Sequence, residues 1–441
     1  MSSQRRITII GGGLAGPLLA CLLADDGHDV AVLEQRDDPR KAGYEGGRSI
    51  NLALSARGLE ALDRIGLKQQ VLDQAIPMRG RMMHDLEGRR TFSPYSVIPG
   101  EAINSVSRGG LNCMLLDAAE SHRNVQLHFG VECSINVEQA GVAWTNRDGT
   151  SESRDADLVV GADGAGSAVR EAMRATGSME ACTDFIDSGY KELSIPAGPS
   201  GSFLLENDAL HIWPRGQFMM IALPNADGSF TCTCFWPLDG EASFEAVDTP
   251  DAIMDFFQSH FPDAVPLMPD LVDDYLSNPV GPLGTVRSSS YHHGGTAVLV
   301  GDAAHAIVPF FGQGMNAAFQ DCLRLADSLR EHEALPDALV EYDRTQRPDG
   351  EAIAEFSLEN FVEMRDKTAS KLFRFKQRMR KRLNHMVPKF YVPRYNLVSF
   401  TTIPYAKVQK HLIVRQLCLA GVLLGLVAVV ILIILRIRGT I

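Results

Sequence analysis

Ile7-Thr8-Ile9-Ile10 is a β-branched apolar run that enters Gly11-Gly12-Gly13-Leu14-Ala15-Gly16 without a break, and the apolar stretch from Leu18 to Leu23 reads as a helix. A strand, a glycine turn and a helix in that order can hold a pyrophosphate. In Gly11-x-Gly13-x-x-Gly16 the first glycine permits a tight turn, the second lets a phosphate approach the backbone, and the third lets helix and strand pack closely. The helix start adds positive potential and free N–H groups. The next strand, Val30-Ala31-Val32-Leu33, ends at Glu34, 18 residues beyond Gly16, where a carboxylate can accept hydrogen bonds from a ribose diol. This order predicts an adenine dinucleotide site.

Two later segments repeat the same grammar. Leu158-Val159-Val160-Gly161 leads into Ala162-Asp163-Gly164, and Ala297-Val298-Leu299-Val300 leads into Gly301-Asp302, followed by Pro309-Phe310-Phe311-Gly312-Gln313-Gly314-Met315-Asn316 and a helix. A buried strand ending in Gly-Asp can set a carboxylate against ribityl hydroxyls. A helix beginning near Gly314 points its positive end at a ring that carries negative charge when reduced, which suits a flavin. Taken singly, each segment could equally be a structural turn between strand and helix. The eight cysteines are scattered, include no Cys-x-x-Cys, and read as free buried thiols, with Cys232 and Cys234 on one face of a strand. No His, Cys and carboxylate cluster has metal spacing, and His292-His293 reads as a solvated turn.

The 441 residues, 45% hydrophobic and 22% charged, are enough to bury a core without disulfides. The nucleotide-type turns near 11, 163 and 302 are separated by strand-like runs such as Phe218 to Leu223 and Phe230 to Phe235, which suits one discontinuous domain better than successive separate ones. Charge divides the chain differently. Residues 1–366 hold 27 Lys and Arg against 54 Asp and Glu, whereas the 75 positions after Asp366 hold 15 Lys and Arg and no acid. An acidic body does not suit nucleic acid. Leu417 to Leu435 is an unbroken run of 19 residues drawn from Leu, Val, Ile, Ala, Gly and Cys, and its length predicts a transmembrane helix. Lys407, Lys410 and Arg415 before it outnumber Arg436 and Arg438 after it, so the positive-inside rule predicts a single-pass C-terminal anchor with the body on the cytosolic side, in a bacterial inner or mitochondrial outer membrane. Between body and anchor, Leu372, Phe375, Met379, Leu383 and Met386 mark one face of a helix with basic residues between them. That helix can pack on the acidic body or rest on anionic headgroups.

The glycine fingerprint, the Asp163-Gly164 segment and the Gly301-Asp302 segment, in this order, resemble the three signatures of the single-component flavin-dependent aromatic hydroxylases. Gly47 to Ser55, Ile76 to Met82, His211 to Arg215, Phe218 to Asn225 and the complete Gly301 to Asn316 run narrow the resemblance to members that hydroxylate L-kynurenine. It covers essentially the whole chain. It implies an α/β fold in which a Rossmann-like FAD-binding domain (1–75, 100–180 and 285–345) is interleaved with a β-sheet substrate domain (76–99 and 181–284), then a helical cap (346–410) and the transmembrane helix (417–435). The implied reaction is NADPH-dependent reduction of FAD, addition of O2 at flavin C4a, and transfer of the distal hydroxyl to ring position 3 of L-kynurenine. Another membrane-bound FAD hydroxylase or reductase, acting on a different aromatic or an isoprenoid substrate, is the alternative.

Carried over position by position, the resemblance implies FAD contacts at Gly11, Gly13, Ala15, Gly16, Glu34, Arg36, Ala53, Arg108, Asp302, Met315 and Asn316. It implies substrate contacts at Arg81, Tyr95, Asn360 and Tyr395, with Phe235, Pro309 and Phe310 as walls of the flavin and substrate pocket. A bidentate arginine is a natural partner for an amino acid carboxylate. The residues alone leave alternatives open: Arg79 and Arg81 are indistinguishable, Tyr95 could be a turn tyrosine, and Arg108 could be a surface arginine at a helix start. The sequence names no catalytic base.

Overall fold

The computed structural model describes residues 4–42, 51–362, 392–418 and 421. Its first sheet has six strands in the order His292–His293, Ala297–Leu299, Leu158–Gly161, Arg6–Ile10, Asp29–Glu34, Val125–Phe129. All neighbours are parallel except the first pair. Ile7, Ile9, Val30, Val32, Leu158 and Val160 are buried, as expected of near-continuous apolar strands covered on both faces. The parallel register puts the carboxyl ends of these strands along one edge. The glycine turn, Glu34, Ala162-Asp163 and Gly301-Asp302, dispersed over 300 residues of sequence, therefore meet there. Backbone hydrogen bonds tie the edge together: Gly11 N–H to Leu33 O at 2.8 Å, Ala162 N–H to Ile10 O at 2.8 Å, and Val300 N–H to Gly161 O at 2.9 Å.

The second large sheet has seven strands: Gly281–Ser288, Ala181–Ile195, Phe230–Pro237, Met219–Pro224, Ala209–Pro214, Gly80–His84 and Arg90–Pro94. Side chains alternate between its faces. Leu193, Cys232, Cys234, Trp236, Met220, Ala222 and Trp213 pack with Ile253 and Phe257 of helix Pro250–His260 and Leu271 and Tyr275 of helix Leu271–Ser277. The opposite face has Arg81 in register with Leu210, Leu210 in line with Leu223, and Ile221 beside Thr233. Cys232 and Cys234 share the buried face as their spacing predicts, and burial pushes both thiols up. All eight cysteines are free, but Cys182 and Cys418 are exposed rather than buried. His292-His293 is also not a solvated turn, since it pairs antiparallel with Ala297 and Val298.

Helices Gly314–Glu331, Leu335–Val362 and Arg394–Ser399 cover the remaining side, followed by a helix over 405–418. The expectation of a spanning segment, and with it of a single-pass membrane anchor, is corrected: among the described residues no helix is long and apolar enough to cross a membrane, and most of 417–435 lies outside them. The described part is amphipathic: Tyr405, Val408 and Leu412, at helical spacing, are buried with Phe311, Ile353 and Phe356. It is also pinned by polar groups. Arg57 lies 3.7 Å from the centre of the Tyr405 ring and donates to Val398 O at 2.9 Å. Ala406 N–H donates to Asp349 at 2.9 Å. The basic helix expected across 372–386 and the Gly47 to Ile50 part of the quoted run lie outside the described residues.

Candidate active site

At the edge of the parallel sheet the three glycines differ in what surrounds them. Gly11 has φ +111°, and a Cβ there would sit 2.3 Å from Ala162 O; one on Gly16 would sit 2.0 Å from Gly11 O. Only hydrogen fits at either position. Gly13 has nothing within 4 Å of its Cβ position, so its backbone faces open space that a phosphate can enter. Ala15 opens helix Ala15–Asp25. Glu34, buried, accepts from Gly12 N–H at 2.7 Å and from Arg36 N–H and Nε at 2.9 Å each. Burial pushes its carboxyl up, but the Arg36 and Gly12 bonds outweigh burial and hold it below the usual range, so Glu34 is charged.

On the far side of the same edge, Gly301 (φ +61°) precedes the short helix Asp302–His305. Asp302 is exposed by surface area yet closely surrounded by protein atoms. That confinement raises its carboxyl, with His305 and Arg108 opposing the rise. Arg108, exposed at the start of helix Arg108–Ser121, thus shares the cleft with Asp302. Helix Gly314–Glu331 starts without a side-chain cap, and Gly314 has open space at its Cβ position, so its first N–H groups are available. Met315 is half-buried beside them. Asn316 is fully buried and its side-chain amide bonds Ala53 O at 2.8 Å, Gly312 O at 3.0 Å and Ser55 N–H at 2.9 Å. It joins the Ala53 strand to the Gly312 loop. Asp163 caps helix Ala168–Ala175 through Ala168 N–H at 2.7 Å, and Arg170 of that helix donates to Ala303 O at 2.8 Å. An open phosphate-sized approach at Gly13, a charged acid at the second strand, and an uncapped helix start opposite Asp302 fit an extended FAD.

The substrate set divides into two groups. Arg81 lies 5.3 Å from the Tyr95 ring centre and 4.6 Å from that of Tyr395. The two phenols stack at 4.9 Å and 14°. Burial pushes the Arg81 guanidinium down, but Tyr95 and Tyr395 more than offset it, and the net shift is upward. Arg81 Nε is buried without a hydrogen-bond partner among the described residues. Such a donor is costly unless something fills it, and a carboxylate is the natural complement. Arg79 instead points outward, 3.7 Å from Asp208.

The second group is aromatic. Phe310 lies 5.0 Å from Phe235 and stacks on Phe361 at 4.4 Å, with Pro309 exposed beside it. Asn360 donates to Phe310 O at 2.6 Å, which ties it to this turn. Two residues not singled out from sequence connect the groups. Phe311 stacks on Tyr395 at 5.5 Å, and Ile221 packs against both the Phe235–Phe310 and the Tyr95–Tyr395 clusters. Ile221 was findable, since it alternates with Met219 and Leu223 on one strand face.

A glycine cradle at the carboxyl ends of a parallel sheet, beside a sheet-backed aromatic slot holding one guanidinium, defines an FAD-dependent aromatic hydroxylase fold. The tetrameric form of 2-methyl-3-hydroxypyridine-5-carboxylic acid oxygenase has this fold, with a TM-score of 0.66 at 22% identity over 83% of this chain and 94% of that one. Residues 4–357 match the FAD binding domain family. Kynurenine 3-monooxygenase of Myxococcus xanthus is 45% identical over 409 residues, covering 92% of this chain and 88% of the relative. That of Dictyostelium discoideum is 45% identical over 421 residues, covering 92% and 90%. The chain belongs to the kynurenine 3-monooxygenase family and is an FAD-dependent monooxygenase.

Proposed function

We propose that the chain hydroxylates L-kynurenine at ring position 3, with the Arg81 guanidinium between the Tyr95 and Tyr395 phenols as the observation that carries the reading. NADPH and O2 are the co-substrates, and bound FAD supplies the electron transfer and oxygen activation. This chain's residues bind, aim and exclude water. Arg81 takes the substrate carboxylate as a charge-assisted pair, and Tyr95 and Tyr395 fix the direction of that pair. Phe235, Pro309 and Phe310, with Ile221, form the apolar slot for the aromatic ketone, and Asn360 keeps Phe310 in place. An apolar wall matters because water entering the site diverts activated oxygen to peroxide. Gly11, Gly13, Ala15 and Gly16 take the pyrophosphate, Glu34 the ribose, Asp302 the ribityl chain, and Arg36 and Arg108 flank the cofactor. Ala53, Met315 and Asn316 shape its ring pocket. We assign 1–75, 100–180 and 285–345 to the FAD-binding domain, 76–99 and 181–284 to the substrate domain, and 346–410 to the cap. An isoprenoid substrate has no use for a buried guanidinium.

The test is turnover of the purified holoprotein with NADPH and O2. L-kynurenine is expected to stimulate NADPH oxidation and to yield a product heavier by one oxygen atom. Unstimulated oxidation, or peroxide as the only product, would overturn the assignment.

A further inference from the structure

The Gly301-Asp302 turn rests on a buried polar cluster that the proposed chemistry does not use. Asp321, in the middle of helix Gly314–Glu331 and 1% exposed, accepts from Gly301 N–H at 2.8 Å and bonds His305 Nε2 at 2.6 Å, both through Oδ2. Its Oδ1 accepts from Gln346 Nε2 of the neighbouring helix at 2.7 Å. Gly301 precedes and His305 ends the four-residue helix Asp302–His305, so one carboxylate grips both ends of the element that presents Asp302. Four residues are too few for a helix to hold itself, and Gly301, free to adopt many backbone conformations, does not fix the turn by itself. His305 is buried, and although burial pushes it down, Asp321 reverses the shift and holds it above the usual imidazole range. Tyr291 and Gly350 close the other side: a Cβ on Gly350 would sit 2.3 Å from the Tyr291 hydroxyl and 3.0 Å from the His305 ring.

We infer that Asp321 and His305 are positioning residues for the cofactor, clamping the Gly301–His305 turn so that Asp302 stands at the FAD ribityl chain before FAD arrives. Preorganisation of this kind lowers the ordering cost of binding. The inference rests on the reading of Asp302 as a ribityl contact.

The experiment is titration of apoprotein with FAD, followed by quenching of flavin fluorescence, with circular dichroism of each apoprotein as the fold control. Asp321→Asn and His305→Leu are each expected to weaken FAD at least tenfold. His305→Gln, whose amide N–H can reach the Nε2 position, is expected to stay within about threefold of the native chain, because the clamp needs a donor there. Folded Asp321→Asn and His305→Leu proteins with native affinity would overturn the inference. If Asp321→Asn does not fold, equal affinities for His305→Leu and His305→Gln overturn it. Asp302→Ala separates the two layers: native FAD affinity in that variant refutes the ribityl assignment itself, whereas weakened affinity there with native affinity in the clamp variants refutes only the clamp.

Discussion

Replacing Arg81 with alanine is expected to raise the KM for L-kynurenine by between ten- and a hundredfold, with a smaller effect on kcat. A charge-assisted hydrogen-bonded pair removed from a desolvated site costs about 1.5–3 kcal/mol, and an interaction equally present in the ground and transition states appears in KM. Stability of the free enzyme should move far less. The native chain already carries the burden of a buried Nε with no partner among the described residues, and alanine removes that burden along with the contact to the two phenols. Substrate protection separates the two effects. Saturating L-kynurenine should raise the melting temperature of the native holoprotein, since it binds the folded state, and should lose most of that effect in Arg81→Ala. Arg81→Lys should recover little, because an ammonium cannot reproduce a planar two-point contact. An unchanged KM in Arg81→Ala would remove this residue from the substrate site.

The contrast between Arg81 and Arg79 shows where sequence reading stops. The two have the same parity along the chain, so alternation cannot separate them. What does separate them is Tyr95, one strand away, and Tyr395, brought in by a helix more than 300 residues further on. By contrast, the glycine turn, Glu34 and Gly301-Asp302 were legible because each works through local backbone geometry: a strand, a turn that excludes Cβ, and a helix start. Asn316 shows the intermediate case. Its position in the cofactor loop was readable, but its amide turned out to be occupied by Ala53, Gly312 and Ser55. Asp321 was not readable, since an acid in a helix looks like a solvated face until the turn it supports is folded beneath it. The C-terminal segment shows another limit. Composition was read as a span, while the helix leading into it buries Tyr405, Val408 and Leu412 against the cap, a periodic signal that composition over the later run does not contain.

Acidification from pH 6.5 to 4 is expected to cost the native fold about 3 kcal/mol through His211 alone. This ring is completely buried, and burial is the main cause that lowers it to about 4. Between the two values an unfolded chain binds a proton at this position and the folded chain does not, so stability falls as pH falls through the window and levels off below it. The hydrogen bonds explain why the ring stays neutral. His211 Nε2 lies 2.8 Å from Glu206 O, a carbonyl that only accepts, so Nε2 carries the hydrogen and Nδ1 is left as acceptor. His84 Nε2, 2.9 Å from that Nδ1, must then donate. The other His84 nitrogen is 2.6 Å from Asp263, which also takes the Trp213 indole N–H at 3.0 Å. Burial pushes Asp263 up, but the His84 and Trp213 bonds reverse the shift and keep it ionised, and the His84 ring stacks 4.0 Å from Trp213. A proton on His211 Nδ1 would turn that acceptor into a second donor facing His84 Nε2, and His84 opposes the added charge. Urea unfolding of the holoprotein across this range should show the loss, and His211→Gln, though less stable at neutral pH, should lose about 3 kcal/mol less than the native chain over the same interval. Equal losses in the two proteins would mean that His211 does not titrate against the fold. Because His84 and Arg81 share the strand Gly80–His84, the same titration should raise the KM for L-kynurenine in the native enzyme before the protein unfolds, and should do so less in His211→Gln.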